Sequence, residues 1–232
     1  MLRNLLTDFG GLLFPSVCLA CTQALRRGEY HLCTVCRAEL PYTDFHRLPP
    51  AENPLGRRFW GKLPVLHALS YLRFVQHGRV QQLLHQLKYQ GQQEVGVALG
   101  ELYGAELADG GFTNQFDIIV PVPLHRRKLA RRGYNQAATF AEGLSTGLVV
   151  PWSEALRRNE HTDSQTKKNR TQRWENVATV FEAARTEEVT GRRVLLVDDV
   201  LTTGATLEAC GVALLAGGAA GISIATIACA DR

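Results

Sequence analysis

The residues of this chain that could do chemistry gather in three places. The first is Val194-Leu195-Leu196-Val197-Asp198-Asp199-Val200-Leu201-Thr202-Thr203-Gly204-Ala205-Thr206. Four apolar residues predict a buried strand, and two acids stand at its carboxyl end, the edge at which open α/β sheets bind ligands. The hydroxyl-rich turn that follows opens a predicted helix. Its N–H groups and threonine hydroxyls can therefore point at a phosphate, at the positive end of the helix dipole. Gly204 lets the backbone come close to such a group. Adjacent carboxylates beside a phosphate cradle suit a ribose diol, directly or through Mg²⁺. A strand ending in Asp-Asp could instead simply cap the next helix. No lysine follows the glycine, which argues against a Walker-type nucleotide site.

The second place is the pair of motifs Cys18-x₂-Cys21 and Cys33-x₂-Cys36. Two such pairs suit one tetrahedral Zn²⁺, and four thiolates leave no open position, so the site would be structural. Disulfides, a redox pair or an iron–sulfur cluster are the other uses of such pairs. His31 is surplus to four cysteines and reads as an exposed loop residue, while Cys210 and Cys229 read as buried packing residues.

The third place is basic. Arg126, Arg127, Lys128, Arg131 and Arg132 form one cluster, and Arg157, Arg158, Lys167, Lys168, Arg170 and Arg173 a second. Two solvated loops would read this way, and so would two mobile loops closing on a polyanion. Nucleic acid would satisfy the same charges. Trp152 and Trp174 could stack on bases, although packing is the plainer use. His125 and His161 border the clusters, and Tyr134 could cover a ribose.

The elements that must position these groups follow from apolar periodicity. Strands are predicted at His67–Phe74, Phe116–Val122, Val177–Phe181, Arg193–Val197 and Ile222–Ala228. Helices are predicted at Val80–Tyr89, Val95–Leu107, Asn135–Leu144 and Ala205–Leu215, the last stopping at Gly217-Gly218. Strands alternating with helices predict a parallel, doubly wound sheet. Residues 65–232 form that unit. Residues 1–40 hold the cysteine head and a short amphipathic helix from Met1 to Phe14, and residues 41–64, with five prolines, read as a linker or irregular arm. No apolar run reaches the roughly 18–20 residues that span a bilayer. The cysteine usage points to a reducing compartment, the cytoplasm.

The thirteen-residue segment resembles the signature of the type I phosphoribosyltransferases: an apolar run, two acids, two spacers, then T-T-G-x-T. That resemblance implies that Asp198 and Asp199 contact ribose and that Thr202, Thr203, Gly204, Ala205 and Thr206 cradle the 5-phosphate of 5-phosphoribosyl 1-pyrophosphate, bound with Mg²⁺. Further motifs are V-P-V-P-L (120–124) running into H-R-R-K-L-A-R-R-G-Y-N-Q (125–136), S-Q-T-K-K-N-R-T-Q-R-W-E-N-V (164–177), and L-K-Y-Q-G (87–91). With the leading cysteine pairs, this order resembles the ComF family, competence-associated bacterial proteins with a zinc-binding head. The resemblance implies an α/β chain of type I phosphoribosyltransferase fold with a small four-cysteine zinc-ribbon head. It implies that the loop after Pro123 meets pyrophosphate and that residues 157–173 form a lid. Arg126, Arg131, Arg132, Lys168 and Arg170 then become anion contacts. The reaction implied is displacement of pyrophosphate at the anomeric carbon. Thr202 stands where some nucleobase transferases carry a carboxylate for the base's proton, so the acceptor stays open. The family also implies two other roles: binding single-stranded DNA during uptake, alongside competence proteins, or sensing the sugar pyrophosphate without turnover.

Overall fold

The computed structural model describes residues 16–159 and 180–230. The predicted helix at Met1–Phe14, residues 177–179 of the strand predicted at Val177–Phe181, and most of the proposed lid, including His161, Lys168, Arg170 and Trp174, lie outside the described residues. The central sheet consists of β1 (Val65–Phe74), β2 (Ile118–Pro121), β5 (Arg193–Leu201) and β6 (Gly221–Ala230), in the order β1-β6-β5-β2, with all neighbours parallel. The two inner strands read as nearly continuous apolar runs because both of their faces are covered. A short antiparallel pair, β3 (Leu156–Arg158) and β4 (Phe181–Ala183), stands apart from this sheet.

Each face of the sheet has its own core. On one face Leu195 and Val197 pack with α2 (Arg79–Tyr89), α3 (Glu94–Asp109) and α5 (Gln136–Leu148), through residues such as Leu87, Leu99 and Phe140. On the other, Val194 and Leu196 pack with Leu207, Cys210 and Leu214 of α7 (Ala205–Ala216). Strand alternation carries this division to the end of β5, placing Asp198 on the α7 side and Asp199 on the α2 side. The expected parallel, doubly wound sheet with a cysteine head is the architecture found.

Three features were not read from the sequence. First, α3 and α5 meet through glycines: Gly100 and Gly104 face Gly143 and Gly147, Gly96 lies against Thr139, and a Cβ on Gly100 would stand 2.5 Å from the Phe140 carbonyl oxygen. Second, the basic segment 126–132 is no loop but the helix α4 (Arg126–Arg132). His125 Nδ1 accepts the Arg127 amide at its start, and Gly133, at φ 81°, ends it with its N–H on the Leu129 carbonyl. Third, the short helix α6 (Thr186–Val189) links β4 to β5.

The proline-rich segment 41–64 is irregular but fastened along its length. Asn53 is buried, donates to the Ala68 carbonyl at 2.7 Å and accepts the Leu55 amide at 2.9 Å. Leu55, Phe59 and Leu63 join the α7-side core. The cysteine head carries one short helix, α1 (Thr34–Glu39), and packs on the other core, where Cys18, Cys33 and Cys36 join Leu72 and Leu83. His31 reaches Glu101 of α3 at 3.5 Å. Among the described residues no helix is long and apolar enough to cross a membrane.

Candidate functional site

The carboxyl ends of the parallel strands meet at one edge, and β5 delivers Asp198 and Asp199 there. Immediately beyond, Thr202 and Thr203 are exposed, Gly204 is buried in the left-handed region at φ 85°, and α7 begins with Ala205 and Thr206, both exposed. Glycine is required at 204 twice over. An L-residue is strained at that φ, and a Cβ would stand 3.1 Å from Phe59 Cε1 of the proline-rich segment. The Ala205 amide donates to Thr203 Oγ1 at 3.3 Å. Among the described residues the amides of Thr203, Gly204 and Thr206 meet no protein acceptor. Unspent donors at the start of a twelve-residue helix are what an anion needs.

The two acids sit in different electrostatic settings. Asp198 is pushed up to about 7, first by burial and then by the neighbouring Asp199 charge. Its hydrogen bond from the Asp199 amide, 2.8 Å, and the Lys88 charge only partly offset those effects. Asp199 Oδ2 lies 3.0 Å from Lys88 Nζ. Both groups are oxygen donors of the kind Mg²⁺ takes, and they flank the open amides, so their chemistry fits a hydrated divalent cation or a diol.

Two residues of this edge escaped the sequence reading. Lys88 belongs to L-K-Y-Q-G, a motif with no charge partner visible in the chain. Arg58, from the proline-rich segment, donates through Nη1 to the Thr202 carbonyl at 2.9 Å and through Nη2 to the Ala230 carbonyl at 2.7 Å, tying the turn to the end of β6. Nothing in the irregular pattern of residues 41–64 marked it.

A cleft of about 430 Å³ opens beside the acids, walled by Phe74, His85, Lys88, Tyr89, Asp199 and Thr202. On the other flank a cavity of about 530 Å³ lies between Pro121–Arg126 and the arginines Arg157, Arg158 and Arg185. Arg126 therefore lines a cavity, and Arg131 is exposed. Arg132 is engaged within the protein, with Nη1 2.5 Å from Gln136 Oε1 and its guanidinium 5.4 Å from the Tyr89 ring centre. Tyr134 is buried, and its hydroxyl donates to the Leu87 carbonyl. Trp152 pairs by a backbone bridge with Ile119 and extends the sheet edge.

In the head, the four cysteine sulfurs lie within 4.8 Å of one another, and none is oxidised to a disulfide. Zn–S bonds of about 2.3 Å set tetrahedral sulfurs about 3.8 Å apart, and Cys21 Sγ and Cys33 Sγ are 3.8 Å apart. Burial pushes the Cys18 thiol up, but hydrogen bonds from the amides of Cys33, Cys21 and Ala20 outweigh it and bring it down to about 7. The set fits a thiolate-bound metal such as Zn²⁺.

Comparison with known proteins agrees with this geometry. The phosphoribosyl transferase domain family matches residues 134–232. The DNA utilization protein YhgH of Escherichia coli K12 is 31% identical over 92% of this chain and 96% of its own. Competence protein F of Haemophilus influenzae is 31% identical over 83% and 81%, and competence protein ComFC of Bacillus subtilis 26% identical over 91% and 83%.

Proposed function

The chain belongs to the ComF family, and from that premise we propose that it binds 5-phosphoribosyl 1-pyrophosphate with Mg²⁺ at the edge formed by Asp198, Asp199 and residues 202–206. The observation that carries this reading is the union of two acids with a helix-opening turn whose amides of Thr203, Gly204 and Thr206 are unspent. In this reading the turn grips the 5-phosphate, and Asp198 and Asp199 hold the ribose hydroxyls. Arg126 and Arg131, with Lys168 and Arg170 beyond the described residues, meet the diphosphate. Asp198 and Asp199 would hold Mg²⁺, which supplies neutralisation of the diphosphate leaving group. Attack at the anomeric carbon by an acceptor would complete a phosphoribosyl transfer. The protein would work in the cytoplasm, with one Zn²⁺ held by Cys18, Cys21, Cys33 and Cys36.

Calorimetric titration of the donor with Mg²⁺ tests the site. The wild type should bind, and the double variant Asp198→Asn/Asp199→Asn should lose at least about a hundredfold in affinity, as expected for removing two charge-assisted contacts. Equal affinity in the double variant sinks the assignment.

A second reading draws on the names of the relatives, which speak of DNA utilization and competence. Here the chain engages single-stranded DNA with other competence proteins and keeps the sugar site for sensing. Salt-dependent single-strand binding, without a labelled product from donor and cell extract, would favour it over transfer.

A further inference from the structure

Lys88 is the one cation the described structure sets directly on the aspartate pair. We propose that it is a working residue of the site. It holds Asp199 as a built-in counter-cation while the site is empty, and it passes to the donor's diphosphate when the metal-bound donor arrives. This inference rests on the donor-binding reading above.

The ion pair is 3.0 Å long, and its side chains are only 22% and 17% exposed, so it is not a solvated surface contact. Two neighbouring carboxylates in a half-buried edge repel each other, and Lys88 is the charge that offsets this for Asp198 as well. It stands in the last turn of α2, where the helix carbonyls favour a cation.

The backbone around Lys88 is held on both sides. Leu87 receives the Tyr134 hydroxyl, and Tyr89 lies under the Arg132 guanidinium. The R-R-G-Y-N motif thus clamps L-K-Y-Q-G in place, which explains why a buried tyrosine stands where a ribose cover was expected. What can move is the lysine's four-carbon arm. Its ammonium is a point charge without the fixed fork of arginine, so it can change partners without changing the helix. The 430 Å³ cleft that it lines gives it room.

The exchange is forced by charge. A divalent cation at Asp199 Oδ2 would meet the Lys88 ammonium already 3.0 Å from that oxygen, and the two cations repel each other. The donor brings its own anionic diphosphate, so the displaced ammonium gains a partner as it loses one. The site would thus take metal and donor together and reject metal alone.

Paramagnetic resonance titration with Mn²⁺, in the absence of donor, reads the first half directly. Lys88→Met should bind Mn²⁺ at least about tenfold more tightly than the wild type, because the competing charge is gone. Calorimetry with donor and Mg²⁺ reads the second half: Lys88→Met should bind about tenfold more weakly, and Lys88→Arg should stay within about threefold of the wild type. Circular dichroism checks that each variant is folded, and Lys88→Gln replaces Lys88→Met if it is not. Unchanged Mn²⁺ affinity, or donor binding as tight as the wild type in the methionine variant, overturns the proposal. If the wild type takes no donor at all, the functional reading above fails instead, and the Mn²⁺ comparison still decides whether Lys88 excludes a cation.

Discussion

The cysteine head and the aspartate edge are both clusters of ligand atoms, but they differ in what is left over. In the head, four sulfurs face one another, amides of the head point at them, and three of the four cysteines lie in a hydrophobic core. Every donor there is directed inward. At the edge, amides of the turn have no acceptor among the described residues, Asp198 holds a proton to near neutrality, and one lysine is shared by two acids. Incomplete satisfaction costs stability, and it persists where a ligand completes the set. A closed set supports the fold, whereas an open set can do chemistry.

The largest effect that could break this contrast lies in the head. If a metal joins the sulfurs, its binding energy is also folding energy, on the order of 10 kcal/mol for a structural zinc. Cys36→Ser should then lose the metal and lower the melting temperature by more than about 10 °C, since even a few kcal/mol shifts the midpoint that far. Metal analysis and calorimetry read both quantities. A variant that melts like the wild type would make the head a passive appendage.

The next effect lies at the edge and has the opposite sense. Asp198 has its folded pKa raised to about 7, so the folded state keeps a proton that the unfolded chain releases near pH 4. Its contribution is fully favourable below about pH 4 and is lost as pH rises through about 7. Asp198→Asn should remove that loss, leaving the variant up to about 4 kcal/mol more stable than the wild type at pH 8 and about equal at pH 4. Urea titrations at the two pH values make the comparison. A wild type that gains stability across this window relative to the variant would refute the strained-edge account.

The chain showed its chemistry more readily than its fastenings. The apolar run of β5, the acids and the T-T-G-x-T turn are contiguous, so one segment carries strand, ligand atoms and helix start. The cysteine pairs are likewise local. Lys88 and Arg58 act on residues more than a hundred positions away, and no local pattern encodes such a pairing. The glycines of α3 and α5 sit inside helices at positions where propensity disfavours them, and only the facing helix explains them. The basic segment 126–132 read as a loop because its charge masks any apolar face. The His125 cap and the Gly133 stop, both in plain view, were the signals for α4.

Arg58 offers the finest division between the two kinds of site, because it belongs to the proline-rich segment yet serves the edge. Its two hydrogen bonds join the carbonyls of Thr202 and Ala230, not the amides and hydroxyls of the turn that are proposed to meet the phosphate. Removing them should cost about 1–2 kcal/mol of stability, the usual worth of charge-assisted bonds to partly exposed carbonyls. If the turn is preorganised from outside, Arg58→Ala should also weaken donor binding about three- to tenfold, because part of the binding energy would then go into ordering the turn. Arg58→Lys can keep one of the two bonds and should fall between. Stability loss without any change in donor affinity would mean that the turn holds its shape alone, through Gly204 and Phe59, and that the segment covering it contributes only packing.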